Sequence, residues 1–160
     1  MPVDGTYSER KITVLPPSLV SNPLTIEELK IENNSYNDSS VTELKLSGLD
    51  RLKRIVIGDD CFGSVRLFEL DGLSELESIV IGEKSFTIVK IWRDVLKRKR
   101  TDGVCRIVNC PRLKSIQFSN QAFGDYYSFE VGNLPSLKSI GIGEYCFFSA
   151  PSFSLTGMMD

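Results

Sequence analysis

Few side chains in this 160-residue chain are suited to chemistry. It contains no histidine, which removes the most common general base and metal ligand of proteins. Asp59, Asp60 and Glu83 are candidate acid–base carboxylates, but they fall in equivalent turns and are better interpreted as solvated turn residues. No phosphate-binding glycine loop, nucleophile motif or zinc-ligand spacing occurs. We therefore expect no catalytic residue, no metal and no cofactor, and the chain is not predicted to be an enzyme.

The four cysteines are the remaining reactive groups. Cys61 and Cys146 occupy one column of small residues, three repeats apart, which at about 4.8 Å per strand puts them about 14 Å from each other, beyond disulfide reach. Cys105 and Cys110 fall at inward positions and are predicted to be small buried hydrophobic residues. A local bridge between these two is the less favoured alternative. The pattern suits a reducing compartment.

Basic residues concentrate in an insertion between Ile88 and Val104. Trp92 precedes a run of four cations, namely Lys97, Arg98, Lys99 and Arg100. As a functional site, this run would be a nuclear import signal or a contact for an acidic partner or a phosphate backbone. The interpretation we favour is a tolerated surface loop whose charges keep it in water. Residues 93–100 are also the best candidate for a helix.

The chain consists largely of sequence repeats. A Leu-x-x-Ile-x-Ile frame, followed by a phenylalanine five residues later, begins at Leu52 and returns at Leu76, Leu113 and Leu137 in closely similar form. These starts are separated by 24, 37 and 24 residues, the middle spacing being one period plus an insertion of 13. A weaker copy begins at Ile26. Self-similarity at a fixed period is typical of a solenoid.

A second apolar–polar–apolar element comes late in each period. Its copies are Leu44-Lys-Leu46, Phe68-Glu-Leu70, Cys105-Arg-Ile107, Phe129-Glu-Val131 and Phe153-Ser-Leu155. Both elements alternate apolar and polar residues, which is the period of a half-buried strand. The sequence therefore predicts a β-rich solenoid of about five rungs, with two parallel strands per rung and little helix. The side chains predicted to point inward in one rung are Leu52, Ile55, Ile57, Phe62, Phe68 and Leu70.

The repeat frame resembles a leucine-rich repeat. The segment Ile57-Gly58…Cys61-Phe62 is similar to the BspA-like subclass, known from protists and bacteria, and the similarity covers roughly residues 26–157. The resemblance implies a right-handed solenoid whose first strand lines a concave, ligand-binding side. Where an asparagine ladder is expected, the residues are Asn34, Asp60, Lys84, Gln121 and Tyr145, so a continuous ladder is not predicted.

The predicted organisation is an irregular leader or cap over residues 1–25 and a solenoid over 26–160. The repeats lie near 26–48, 49–72, 73–109, 110–133 and 134–157, with the insertion at 88–104. The chain stops inside a period without the polar closing segment typical of a solenoid end. We expect that it is incomplete, or that a partner covers its last rung.

The outward columns of the first strand form the candidate partner-binding surface. Its members are Arg54, Val56, Ser78, Val80, Ser115 and Gln117. Two adjacent valines with an arginine at their edge make a small apolar patch of the kind that interfaces use. The simpler interpretation is that valine favours strands wherever it occurs.

The predicted function is a protein–protein interaction scaffold that binds a protein partner of unknown identity on the concave strand face. The alternative is a structural, adhesive or self-associating repeat module that uses its uncapped C-terminal end. Nucleic-acid binding is not favoured, because the net charge is −2. No secretory signal or bilayer-length apolar run is present, so we expect no membrane span and an intracellular, cytoplasmic location, or a nuclear one through the basic insertion.

Overall fold

Ten short β-strands make up the part of the chain that the structure describes. In a computed structural model of the protein, the described residues are 26–88, 102–148, 150 and 152–156. The strands are β1 (Glu28–Ile31), β2 (Glu43–Leu46), β3 (Arg54–Ile57), β4 (Leu67–Asp71), β5 (Ser78–Ile81), β6 (Val104–Val108), β7 (Ser115–Phe118), β8 (Ser128–Gly132), β9 (Ser139–Ile142) and β10 (Ser152–Thr156). Within these ranges there is no helix. The predicted leader and the candidate helix at 93–100 lie outside the described residues.

The strands form two parallel sheets. Sheet 1 has the order β1-β3-β5-β7-β9 and sheet 2 the order β2-β4-β6-β8-β10, so the chain alternates between them at each step. Each strand pairs in register with the equivalent strand of the next repeat; Ile55, for example, pairs with both Leu29 and Ile79. The chain is therefore a parallel β-solenoid, as predicted. The sequence predicted about five rungs, and the structure has about four turns. The five strands of each sheet are separated by four steps along the solenoid.

The core lies between the two sheets and is predominantly apolar. All six residues predicted to point inward in one rung are at most 1% exposed. This follows from the pleat, because alternate side chains of each strand face the opposite sheet. Burial of each such side chain is worth about 1.5–3 kcal/mol before the loss of chain entropy is subtracted.

A stack of aromatic rings runs along the solenoid axis. It consists of Tyr36, Phe62, Phe86, Phe123 and Phe147, with successive centroids 4.6 to 5.3 Å apart and ring planes within 15° of parallel. Every one of these residues has a positive φ, between 51 and 62°. That conformation costs a side-chain-bearing residue about 1 kcal/mol. The stacked and buried rings offset this cost in every turn.

A partial side-chain ladder joins the turns that follow sheet 1. The side-chain oxygen of Asn33 accepts the Asp59 N–H at 2.8 Å, and that of Asp59 accepts the Glu83 N–H at 2.8 Å. Asn120 repeats the contact with the N–H of Glu144 at 2.9 Å. Each ladder residue lies one position before the one at which the sequence pattern suggested an asparagine ladder, as Asn33 does before Asn34. The ladder is discontinuous, since Glu83 makes no such bond to the next turn among the described residues.

The column of small residues has a hydrogen-bonding role as well as a steric one. The Cys61 thiol donates to the Glu32 carbonyl at 3.0 Å, the Ser85 hydroxyl to the Gly58 carbonyl at 2.7 Å, and the Cys146 thiol to the Ser119 carbonyl at 3.0 Å. Each bond joins a turn to the preceding one. All four cysteines are free, so the alternative of a bridge between Cys105 and Cys110 is wrong, and the prediction that these two are buried is confirmed.

Candidate interaction surface

The six predicted partner-binding residues lie together on the outer side of sheet 1. In register across β3, β5 and β7, one column is Arg54, Ser78 and Ser115, and the other is Val56, Val80 and Gln117. Their neighbours along each strand point into the core, so alternation turns these six outward. We call this set the sheet 1 face. Their role in binding stays a prediction.

The centre of the sheet 1 face is apolar and partly open to solvent. Val80 is 39% exposed, and Val56, its register partner, is partly exposed. Beside them the Gln117 amide lies over Gly141, where a β-carbon would collide with it. The surface therefore runs from two methyl-rich side chains to an amide that can both donate and accept a hydrogen bond.

Charges at the N-terminal edge of the sheet 1 face are paired. Arg54 Nε lies 3.4 Å from Glu28 Oε2, and Lys53 Nζ lies 4.0 Å from Glu27 Oε1. The sequence predicted Arg54 at the edge of the valine patch but did not identify Glu28 as its partner, although the 26-residue offset of the first repeat places the two in one column. Exposed pairs of this kind contribute about 0–1 kcal/mol, so their main effect is to neutralise this edge.

The outer side of sheet 2 differs, because its central column is a ladder of ion pairs. Lys45 lies 4.0 Å from Glu69, Glu69 lies 2.8 Å from Arg106, and Arg106 lies 3.4 Å from Glu130. In the first four strands of sheet 2 the middle residue alternates between basic and acidic, and this alternation is visible in the sequence. Acidic and basic groups on this side satisfy one another, so it offers little unpaired charge to a partner.

A buried polar cluster lies where the insertion rejoins the solenoid. Arg66 lies 3.3 Å from Asp102 and 3.7 Å from Asp125, and its guanidinium carbon is 4.9 Å from the ring centre of Tyr126. Asp125 and Tyr126 are fully buried, and the Tyr126 hydroxyl donates to the Val65 carbonyl. The sequence interpretation missed this cluster. The predicted basic contacts Trp92, Lys97, Arg98, Lys99 and Arg100 lie outside the described residues.

The thiols are poorly suited to nucleophilic chemistry. Burial raises the pKa of the Cys61, Cys105 and Cys110 thiols, and it raises the pKa of Cys146 to about 11. Because the thiolate is the reactive form, these groups stay protonated and slow to react at neutral pH.

In the described ranges, no group of three or more histidine, cysteine or acidic residues is placed to hold a metal ion. The same ranges contain no helix with the length and hydrophobicity that crossing a bilayer requires.

Comparison of the chain with protein-family models, with curated proteins and with solved structures finds no match. The assignment as a solenoid repeat protein therefore rests on the repeats in the sequence and on the two parallel sheets.

Proposed function

We propose that the chain is a leucine-rich-type repeat module, of the BspA-like kind, that binds an extended segment of a protein partner across the sheet 1 face. The contrast between the two outer sides of the solenoid carries this proposal. Sheet 2 presents ion pairs that satisfy one another, whereas sheet 1 presents two partly exposed valines bordered by hydroxyls and an amide. An apolar centre with a polar rim is the usual composition of a recognition surface.

The regular spacing of the solenoid favours an extended ligand. Equivalent side chains recur at the strand spacing of about 4.8 Å, so Val56, Val80 and Gln117 form a straight row that a partner segment can follow. The valines would take apolar side chains, and Ser78, Ser115 and Gln117 would hydrogen-bond to polar groups. Little backbone rearrangement is needed, because these residues lie on paired strands rather than on loops.

The proposed setting is intracellular and reducing. Its support is the set of four free cysteines, of which three are fully buried. The basic run at 97–100 carries no part of the proposal.

The test is affinity capture from a cell extract with three forms of the protein. The first is the wild type, and the second carries Val56→Glu and Val80→Glu. The matched control carries Ile88→Glu and Tyr127→Glu, which add the same charges at positions that are 45% and 38% exposed but lie off sheet 1. All three must first give the same far-UV circular dichroism.

We expect a partner that the wild type and the control retain and that the valine variant loses. Hydrogen exchange of the purified pair should then show protection of β3, β5 and β7. Capture of the same proteins by all three forms would overturn the assignment of the sheet 1 face.

A further inference from the structure

We propose that the partner segment on the sheet 1 face is apolar at one end and acidic at the other. Its aliphatic side chains lie over Val56 and Val80. Its carboxylates lie beside Lys114 and Lys138, two rungs further along the solenoid. This inference rests on the proposed function and deepens it, because it gives the segment a composition and a position on the face.

A column of charged residues runs along the N-terminal edge of sheet 1. The backbone N–H of each member donates to the carbonyl of the preceding one, as Lys114 does to Glu77 at 2.9 Å and Lys138 does to Lys114 at 2.8 Å. In chain order the column is Glu27, Lys53, Glu77, Lys114 and Lys138. Opposite charges alternate over the first four positions, whereas the last two neighbours carry the same positive charge.

Positive charge is left unpaired beside β7 and β9. The ion pairs of Lys53 and Arg54 neutralise the edge beside β1 and β3 only. Lys114 and Lys138 are exposed, and among the described residues neither of them forms an ion pair. Lys114 has a rung on each side, so its lack of a carboxylate partner belongs to the interior of the stack. A carboxylate of the partner segment would meet two ammonium groups here.

Serine hydroxyls lie between the lysine edge and the valine row. Ser115 follows Lys114 directly, and Ser78 is its register partner on β5. Both are partly exposed, and neither hydroxyl forms a hydrogen bond within the part of the chain that the structure describes. Hydroxyl and ammonium groups can both donate to a carboxylate, and such charge-assisted bonds are stronger than neutral ones. The hydroxyls therefore add donors on the path of an acidic side chain toward the lysines.

Strand spacing gives the expected arrangement of the segment. The midpoint of the two valines and that of the two lysines are two strands apart, which is about 10 Å along the solenoid. An extended chain advances about 3.3 Å per residue, so about three residues should separate the aliphatic side chains from the acidic ones. The lysines begin three residues before the valine row, and their flexible four-carbon stems reach toward it. Glutamate, with the longer of the two acidic side chains, is suited to meet them.

Acidic residues at the opposite edge of sheet 1 do not cancel this attraction. Glu83 and Glu144 follow β5 and β9, at the far end of the strands from the lysines. Four residues of strand span roughly 13 Å, which exceeds the Debye length of about 8 Å at physiological ionic strength. The charge that a segment encounters beside β7 and β9 is therefore positive.

The test begins with random peptides displayed on phage and selected on the purified wild-type chain. Peptides that the double variant Val56→Thr, Val80→Thr no longer retains are those that use the apolar centre, since threonine removes apolar surface without adding charge. We expect these peptides to share two aliphatic residues with glutamate about three residues away.

The dissociation constant of a selected synthetic peptide is then measured by fluorescence anisotropy. Lys114→Glu and Lys138→Glu should each weaken binding about fivefold, because each replaces an attractive contact by a repulsive one. A peptide with lysine in place of its glutamates should bind the double charge-reversal variant better than it binds the wild type. Lys53→Glu is the matched control, since it makes the same change in the same column beside β3, and it should alter binding by less than about twofold. All variants must retain the far-UV circular dichroism of the wild type.

The outcomes separate this inference from the proposed function. Valine-dependent peptides without acidic residues, or peptides insensitive to both lysine reversals, would overturn the inference and leave the proposed function standing. Failure to select any valine-dependent peptide would overturn both. A single-stranded oligonucleotide that binds as tightly as the peptide, regardless of the valines, would also overturn the inference, because the lysines would then serve a phosphate backbone.

Discussion

Asp59 and Gly82 share one space between adjacent turns. Asp59 Oδ1 accepts the N–H of Glu83 at 2.8 Å, and it lies where a β-carbon on Gly82 would be placed. The aspartate of one turn therefore requires the glycine of the next, and the two positions must be considered together. A turn that lacks the short side chain should not need the glycine.

The other turns follow the same rule. Asn33 lies against Gly58, and Asn120 lies against Gly143, each with its amide oxygen at the site of the missing β-carbon. The exception is the turn of Glu83, whose longer side chain does not make this bond, and there the next turn carries Ser119 in place of glycine.

Replacement of Gly82 by alanine should destabilise the solenoid. The added β-carbon would collide with Asp59 Oδ1 and with the backbone of Gly58, so the turn must shift. Overpacking of this kind costs about 1–3 kcal/mol. The free energy of unfolding in urea measures the loss, and Ser119→Ala at the equivalent position should change it by less than about 0.5 kcal/mol. Equal losses in the two variants would contradict the shared-space explanation.

Replacement of Phe86 should show how much the ring stack contributes. Phe86 is fully buried, between Phe62 at 5.1 Å and Phe123 at 4.6 Å. Phe86→Ala leaves a cavity and breaks the stack, so we expect a loss of about 3–5 kcal/mol in urea unfolding. Tyr36→Ala, at the partly exposed end of the stack, should cost clearly less. If the two variants lose the same free energy of unfolding, the inner rings of the stack do not contribute more stability than the outer ring.

The sequence predicted the solenoid well because every rung obeys the same physics. A 24-residue period with alternating apolar residues leaves few arrangements that bury the apolar sides, and stacking in register is the simplest of them. The same alternation placed Val56 and Val80 outward and their neighbours inward. Leu52 and Phe68 lie in the core for this reason.

Features that join different rungs were not predictable from one repeat. The Tyr126 hydroxyl reaches the carbonyl of Val65, 61 residues earlier, which is more than one 24-residue period away. The contact between Arg66 and Asp125 likewise spans more than one period. The difference in exposure between Ile142 and Ile81 is also not predictable, because the repeated pattern gives the two residues equivalent positions.

Arg66 and Asp125 should show energetic coupling. Asp125 is fully buried 3.7 Å from the guanidinium of Arg66, whose side chain is only 18% exposed. Arg66→Gln removes the positive charge beside a buried carboxylate, which should cost about 3 kcal/mol in the free energy of unfolding. Asp125→Asn alone should also destabilise, since it leaves the arginine with less negative charge around it.

The double variant Arg66→Gln, Asp125→Asn then measures the coupling. It should be more stable than the sum of the two single losses predicts, because it removes both charges together. Additive losses would show that the two residues act independently. Arg112→Gln is a suitable control, since Arg112 and Glu75 form an exposed pair at 3.2 Å that should contribute less than about 1 kcal/mol.

The Cys146 thiol should make the stability of the protein fall at alkaline pH. Burial raises the pKa of this thiol from 9.0 to about 11, so above pH 9 the unfolded chain loses a proton that the folded chain retains. The stabilising contribution is complete below pH 9 and is lost as the pH rises toward about 11. Urea unfolding of the wild type and of Cys146→Ala over this range measures it.

Alanine is a suitable replacement because Ala122 holds the same column position in the preceding turn. Lysine and tyrosine side chains also titrate in this range, so the quantity of interest is the difference between the two proteins. We expect the wild type to lose stability more steeply than Cys146→Ala between pH 9 and about 11. Parallel pH profiles would mean that the folded chain does not hold the thiol proton more tightly than the unfolded chain does.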